Sequence, residues 1–192
     1  MGQRYTAIPD KQIEFIRHQK IFFGGTAGAN TRVNVSPKGM DSLRVLSPHR
    51  VIWLNTTGSG NETAAHVLAP PLMTVMFCAF ESAPLILRLY GTAQAIHPRD
   101  PAWAELYAHF TPLPGARQIF DLCVNLVQTS CGMAVPHFDY QSDRTLLSDW
   151  AAKKGPDGIR DYWTQKTQTT VSTASPPKSS PSPRHSRHLF RG

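Results

Sequence analysis

Apolar positions along the chain follow two different periods. From Ile8 to His18, the residues Ile8, Ile13, Phe15 and Ile16 recur at helical spacing behind Pro9-Asp10, which predicts a short N-terminal helix. The runs that follow are KIFFGG, TRVNVS, RVIWLN, LMTVMFCAF, LILRLYGTAQAI and QIFDLCVNLVQTS. They are short, rich in β-branched and aromatic residues, and bounded by Gly, Pro, Asn or Ser, as strands are. Six such runs with tight connections predict a mostly β fold, an antiparallel sheet or closed barrel with flanking helices. Helical insertions are expected at 61–69, 101–110, 144–154 and 156–165. Pro101 and Pro156 suit a first helical turn, and Pro70-Pro71 stops the second helix.

Composition narrows the class. The 192 residues include 16 prolines and 13 glycines, a turn-rich count that agrees with the strand reading and leaves room for one domain. No apolar run approaches the roughly 18 residues of a membrane span, and MGQRYTAIPDKQ lacks the apolar core of a secretory leader. The expected location is the cytoplasm, with the nucleus as an alternative, and no membrane partner is expected. The net charge of +7 at first points to nucleic acid. Lys178, Arg184, Arg187 and Arg191, however, put +4 of it on residues 167–192, a stretch with no acid and many Ser and Pro. Residues 1–166 are therefore read as the folded domain and 167–192 as a disordered basic tail, whose Ser-Pro steps and RHSRH cluster suit phosphorylation or a weak basic address. With +3 on the folded part, nucleic acid is a third-rank partner.

The three cysteines, Cys78, Cys123 and Cys131, cannot all pair and show no C-x-x-C spacing, so they read as free thiols, Cys78 and Cys123 in the core. Cys131, in QTSCG, reads as a strand-end thiol without a nearby base. The histidines lack metal-site spacing, and no metal is expected.

The segment richest in chemistry is WLNTTGSGNETAAHVLAPP, residues 53–71. A strand runs into Thr56-Thr57-Gly58-Ser59-Gly60 and then a short helix. Ser59 and Glu62 fit a capping box, and the glycine turn feeding a helix start offers amides and a positive dipole to a phosphate. The same pattern is explained by capping alone, and Glu62 would repel an anion. A Walker loop is excluded by the missing lysine, and a Rossmann fingerprint is disfavoured by Thr63 where the third glycine should stand, although Glu81 falls about 20 residues on. Arg32, Lys38 and Arg88 add cations. Arg88 shares a strand face with Ile86 and Tyr90, opposite Leu87 and Leu89, so it wants a ligand or an ion pair with Glu81 or Glu62.

In order, RVNVSPKG, LNTTGSGNETAAH, LILRLYG and VQTSCGMAVPHFDY resemble the pyridoxamine 5′-phosphate oxidase-related family, over about residues 8–166. The resemblance implies a six-stranded antiparallel split barrel with flanking helices that forms a homodimer and holds FMN at the subunit interface. By position it implies that Arg32, Val33, Asn34, Val35 and Ser36 line the isoalloxazine and ribityl chain. Lys38 would stand near the flavin's reactive edge, Thr56, Thr57, Ser59 and Asn61 would form the phosphate loop, and Arg88 would approach the ring or phosphate.

Against that pattern, the spacing from Arg32 to Lys38 is one residue longer than in the oxidases. Gly60-Asn61-Glu62-Thr63 stands where they carry Arg-Lys, and a Ser/Pro tail stands where they carry a Trp and an Arg-Leu stretch. The resulting expectation is an FMN-dependent oxidoreductase acting on a small molecule, with no catalytic acid or base assigned. The alternative is a non-catalytic flavin- or haem-binding protein of the same fold.

Overall fold

A computed structural model describes residues 2–166; the expected tail, 167–192, lies outside the described residues. The strands are β1 (Arg4–Tyr5), β2 (Phe22–Thr26), β3 (Asn34–Lys38), β4 (Leu43–Ser47), β5 (Arg50–Thr56), β6 (Leu72–Cys78), β7 (Ile86–Ile96) and β8 (Ala116–Ser130). The helices are α1 (Asp10–His18), α2 (Glu62–His66), α3 (Trp103–Tyr107) and α4 (Leu146–Lys166), the last broken at Gly155 (φ 67°), just before Pro156. The described strands form one eight-stranded sheet where six strands were expected, because β1 and β4 join it. Neither shows period-2 burial: β1 has two residues, and β4 is half-buried on both faces until its exposed last residue.

Every pairing is antiparallel, in the order β3-β2-β6-β7-β8-β5-β4, with β1 beside β8. Strands β3 and β4 are consecutive in the chain yet stand at opposite ends of this order. Residues 39–42 span at most about 17 Å, whereas seven strands laid flat would separate the ends by about 29 Å. The sheet therefore curls until its two ends approach, without pairing across the gap. This is a split barrel, with the seam between β3 and β4. Met40 and Asp41 take positive φ (61° and 51°) in the turn that crosses it.

Phe22, Trp53, Phe77 and Phe120 fill the inside of the curl, with Phe22 edge-on to Trp53 at 5.6 Å and Trp53 tilted on Phe120 at 4.7 Å. Ile8 and Ile16, from the α1 region, join this core. A second cluster on the outer face, Ile52, Leu54, Ile96 and Ile119, is covered by Leu106 and Phe110 of the α3 region. Gly91 lies where β7 and β8 shift register; a Cβ there would strike the Cys123 carbonyl.

Cys78 is buried as expected, and burial raises its thiol pKa against the opposing pull of Arg88. Cys123 is exposed, correcting its assignment to the core. Leu122 and Val124 turn inward on either side of it, and period-2 alternation turns Cys123 out. Among the described residues, no helix is long and apolar enough to cross a membrane.

Candidate functional site

Strand β3 organises the candidate site. It pairs Lys38 with Phe22, Ser36 with Gly24 and Asn34 with Thr26. Phe22 and Thr26 are buried, so Asn34, Ser36 and Lys38 look into the curl. Val33 and Val35 lie on the outer side, 73% and 62% exposed, and Arg32 is exposed just before the strand. One edge of β3 bonds to β2, and no described strand pairs with the other. That edge leaves backbone N–H and C=O groups facing outward.

Inside the curl, Lys38 Nζ lies 5.3 Å from the centre of the Trp53 ring. Gly24 makes room for that ring: a Cβ at Gly24 would approach it to 3.0 Å. Burial lowers the Lys38 pKa, and the negative charge of Glu62 pushes it part of the way back. Helix α2 is tied to the same wall. Asn34 Nδ2 donates to Thr63 Oγ1 at 3.1 Å, and Thr26 Oγ1 lies 3.1 Å from His66 Nδ1.

The glycine-rich loop closes this side, but not as a capping box. Glu62 is the first residue of α2 and Asn61 occupies the N-cap with no side-chain cap bond. The Glu62 carboxylate folds back against Gly60 instead. Helix α2 has five residues, too short for a developed macrodipole, because the chain turns at Val67, ahead of Pro70. The amides of residues 58–61 make no hydrogen bond among the described residues, and Ser59 is exposed.

Thr56 is half-buried at the end of β5. Thr57 is buried, and its hydroxyl donates to the Gly115 carbonyl at 2.8 Å while accepting from Trp163 Nε1 at 2.9 Å. Asn61 Oδ1 accepts from Gln118 Nε2 at 2.6 Å. Gln118 is 1% exposed, and its Oε1 has no hydrogen-bond partner among the described residues.

Arg88 shares the outer face of β7 with Ile86 and Tyr90, and β6 and β8 place Met76 and Gln128 beside it. It forms no ion pair among the described residues; its Nη1 donates to Ser130 Oγ at 3.0 Å. The sequence-derived residues therefore divide into two sets. Asn34, Ser36 and Lys38 face the inside, with Asn61 and the loop close to α2. Val33, Val35 and Arg88 belong to the outside, and Arg32 is exposed just ahead of the strand. One chain alone does not bring Lys38 and Arg88 together.

The profile of the pyridoxamine 5′-phosphate oxidase family matches residues 8–131. The chain belongs to that family. The pyridoxamine 5′-phosphate oxidase family protein ustO of Aspergillus flavus is 38% identical over 144 residues, which is 72% of this chain and 58% of that protein. The chain thus spans under two thirds of that relative's length. Two solved structures share the fold: HupZ of group A Streptococcus (TM-score 0.52, 16% identity, 64% of this chain and 99% of that one), and a candidate pyridoxamine 5′-phosphate oxidase of Lactobacillus delbrueckii (TM-score 0.52, 20% identity, 64% and 94%).

Within this family fold, the sequence reading left Trp53, Thr63 and Gln118 out of the site and gave Glu62 only a capping, anion-repelling or ion-pairing part; all four surround the inward residues of β3 and the loop. Trp53 and Gln118 lie in strands and read as packing. Only the run of polar residues Asn61-Glu62-Thr63 signalled the contacts that α2 makes with β3.

Proposed function

We propose that the chain binds flavin mononucleotide and serves as an oxidoreductase for a small molecule, working as a homodimer. The observation that carries this reading is the setting of β3. It is a sheet-edge strand with free backbone groups, inward Lys38, Ser36 and Asn34, and outward Val33 and Val35.

The donor set fits that cofactor. An unpaired strand edge suits the carbonyl and N–H rim of an isoalloxazine, and the exposed valines suit its benzenoid part. Unbonded amides at 58–61 with the Ser59 hydroxyl suit a phosphate. Arg88 supplies a cation on the outer face, and Arg32 supplies an exposed one just ahead of β3. Bound flavin would supply hydride or electron transfer. The chain's own part is to hold and orient: Lys38 to set charge near the ring's edge, the loop to grip the phosphate, and a second copy to bring outer-face residues up to the first. Thr57 contributes by holding the loop's base, since its hydroxyl is committed to Gly115 and Trp163.

A second reading, flavin binding without turnover, draws on one observation. Glu62 lies against Gly60 beside the loop that would hold the phosphate, which weakens an anion's grip.

Denaturing the purified protein and identifying the released cofactor by mass spectrometry tests the proposal. FMN in the supernatant is the expected result. A colourless protein whose melting temperature responds to neither FMN nor FAD would overturn both readings. Bound flavin that NADH and NADPH fail to reduce would favour the second.

A further inference from the structure

Beside the seam, the chain between β8 and α4 crosses the end of the barrel as a strap without regular structure. Its backbone is pinned on both sides of Asp139. Phe138 N–H donates to the Phe80 carbonyl at 3.1 Å, and Tyr140 N–H donates to Glu81 Oε1 at 2.7 Å. These bonds hold Phe138 and Tyr140 over a cleft of about 680 Å³, which Ile21, Phe80, Leu146 and Leu147 also line. Phe138 packs on Phe80 with ring centres 5.4 Å apart, yet remains 60% exposed, and Leu146 is 71% exposed. Large apolar groups gathered around one concavity of ligand size mark a binding site rather than scattered surface residues.

The charges around the cleft balance. Lys20, Lys38 and Arg144 face Glu81, Asp139 and Asp143, with His18 at the margin. Lys20 is already engaged, its Nζ lying 5.5 Å from the centre of the Tyr140 ring. A phosphate dianion entering here would meet three carboxylates and find no excess of cations. A flat uncharged molecule would meet aromatic and aliphatic walls.

We infer that this strap cleft binds an uncharged molecule with a flat apolar body, held by Phe138 and Leu146, and that the carboxylates around it disfavour phosphorylated compounds. The cleft reaches Lys38, which the proposed function sets beside the flavin. As a substrate pocket it rests on that reading; as a binding site it does not.

Two probes with one ring system separate the possibilities: 2-naphthol, which is neutral at pH 7, and 2-naphthyl phosphate. Each is titrated calorimetrically into the full-length protein, and flavin absorbance is recorded on the same samples. Naphthol should bind at least about tenfold more tightly than its phosphate ester, because only the ester brings charge against the acids. Phe138→Ala and Leu146→Ser should each weaken naphthol by about tenfold, through lost apolar contact, with flavin content and melting temperature unchanged. Both side chains are largely exposed, and Leu146→Ser keeps the test open if Phe138→Ala disturbs the strap. Equal or tighter binding of the ester, no naphthol binding, or unchanged affinity in both variants would overturn the inference. Flavin present without naphthol binding sinks this inference alone, whereas naphthol binding without any flavin supports the cleft and sinks the cofactor reading.

Discussion

Lys38 and Trp53 meet beside the seam of the barrel, the ammonium lying 5.3 Å from the ring centre. The chain places a cation there at a cost, since burial lowers the Lys38 pKa despite Glu62 nearby. In the unfolded chain Lys38 keeps its ordinary value near 10.5. Below the lowered folded value, both states hold the proton and the folded state bears the full penalty of a buried charge. As pH rises from that value towards 10.5, the folded state releases the proton first and the penalty fades. Lys38→Met should therefore melt higher than the parent at pH 7, and the gap should narrow towards pH 10. Paired thermal melts across that range check it, and a gap that widens with pH would show that the sign is wrong.

Thr57 joins the glycine-rich loop to α4 through Trp163 and to the start of β8 through Gly115. Thr57→Val removes a donor and an acceptor from a buried site, at a cost of about 1–3 kcal/mol. Thr57→Ser should restore most of the loss. Denaturant unfolding measures both variants. If Thr57→Val loses flavin under conditions where it remains folded, and Thr57→Ser does not, the hydroxyl supports the cofactor site through the loop it holds as well as the stability of the fold.

Much of the β framework was legible because side-chain alternation is local. Leu87 and Leu89 point in and Arg88 points out, as the run LILRLYG indicates. The resemblance implied the split barrel, but alternation alone could not say where its seam lies. Only the pairing register, which sets Lys38 opposite buried Phe22 and Arg88 opposite Met76, the partner of Phe23, shows that Lys38 and Arg88 occupy different faces of the sheet. Strand β4 escaped notice because its half-burial on both sides erases the period, and Cys123 was misread because an apolar neighbourhood in sequence does not say which face a residue takes. The length of α2 was overestimated, since the turn at Val67 precedes the prolines that seemed to end the helix. The strap cleft left no periodic trace at all. Its rings come together only through Phe80, Glu81 and the chain crossing them.

Gly91 tests the bulge between β7 and β8. At this position the Cys123 carbonyl occupies the space a side chain would need, and the obstacle is backbone rather than a flexible tip. Gly91→Ala must shift one of the two longest strands, at about 3 kcal/mol. A large drop in melting temperature with no change in far-UV circular dichroism at low temperature is expected. Near-neutral behaviour would mean that the register shift lies elsewhere.

The outer face of β3 tests the dimer. Val33 and Val35 are 73% and 62% exposed beside Leu72, Thr74, Met76 and Tyr90, and together they bound an open groove of about 520 Å³. Exposed β-branched residues on an edge strand are an aggregation hazard unless something covers them. Under the proposed function, that cover is a second copy carrying the remaining flavin contacts. The double substitution Val33→Asp with Val35→Asp places two carboxylates in the expected interface, where desolvating them outweighs the apolar contact they replace. Light scattering should give the parent a mass near twice 21.3 kDa and the variant the single-chain mass. Because both side chains already face outward, the variant should stay folded, and its flavin should be lost together with the second copy. A dimer that survives both substitutions would move the interface off this face, and with it the assignment of Arg32 and Arg88 to a shared site.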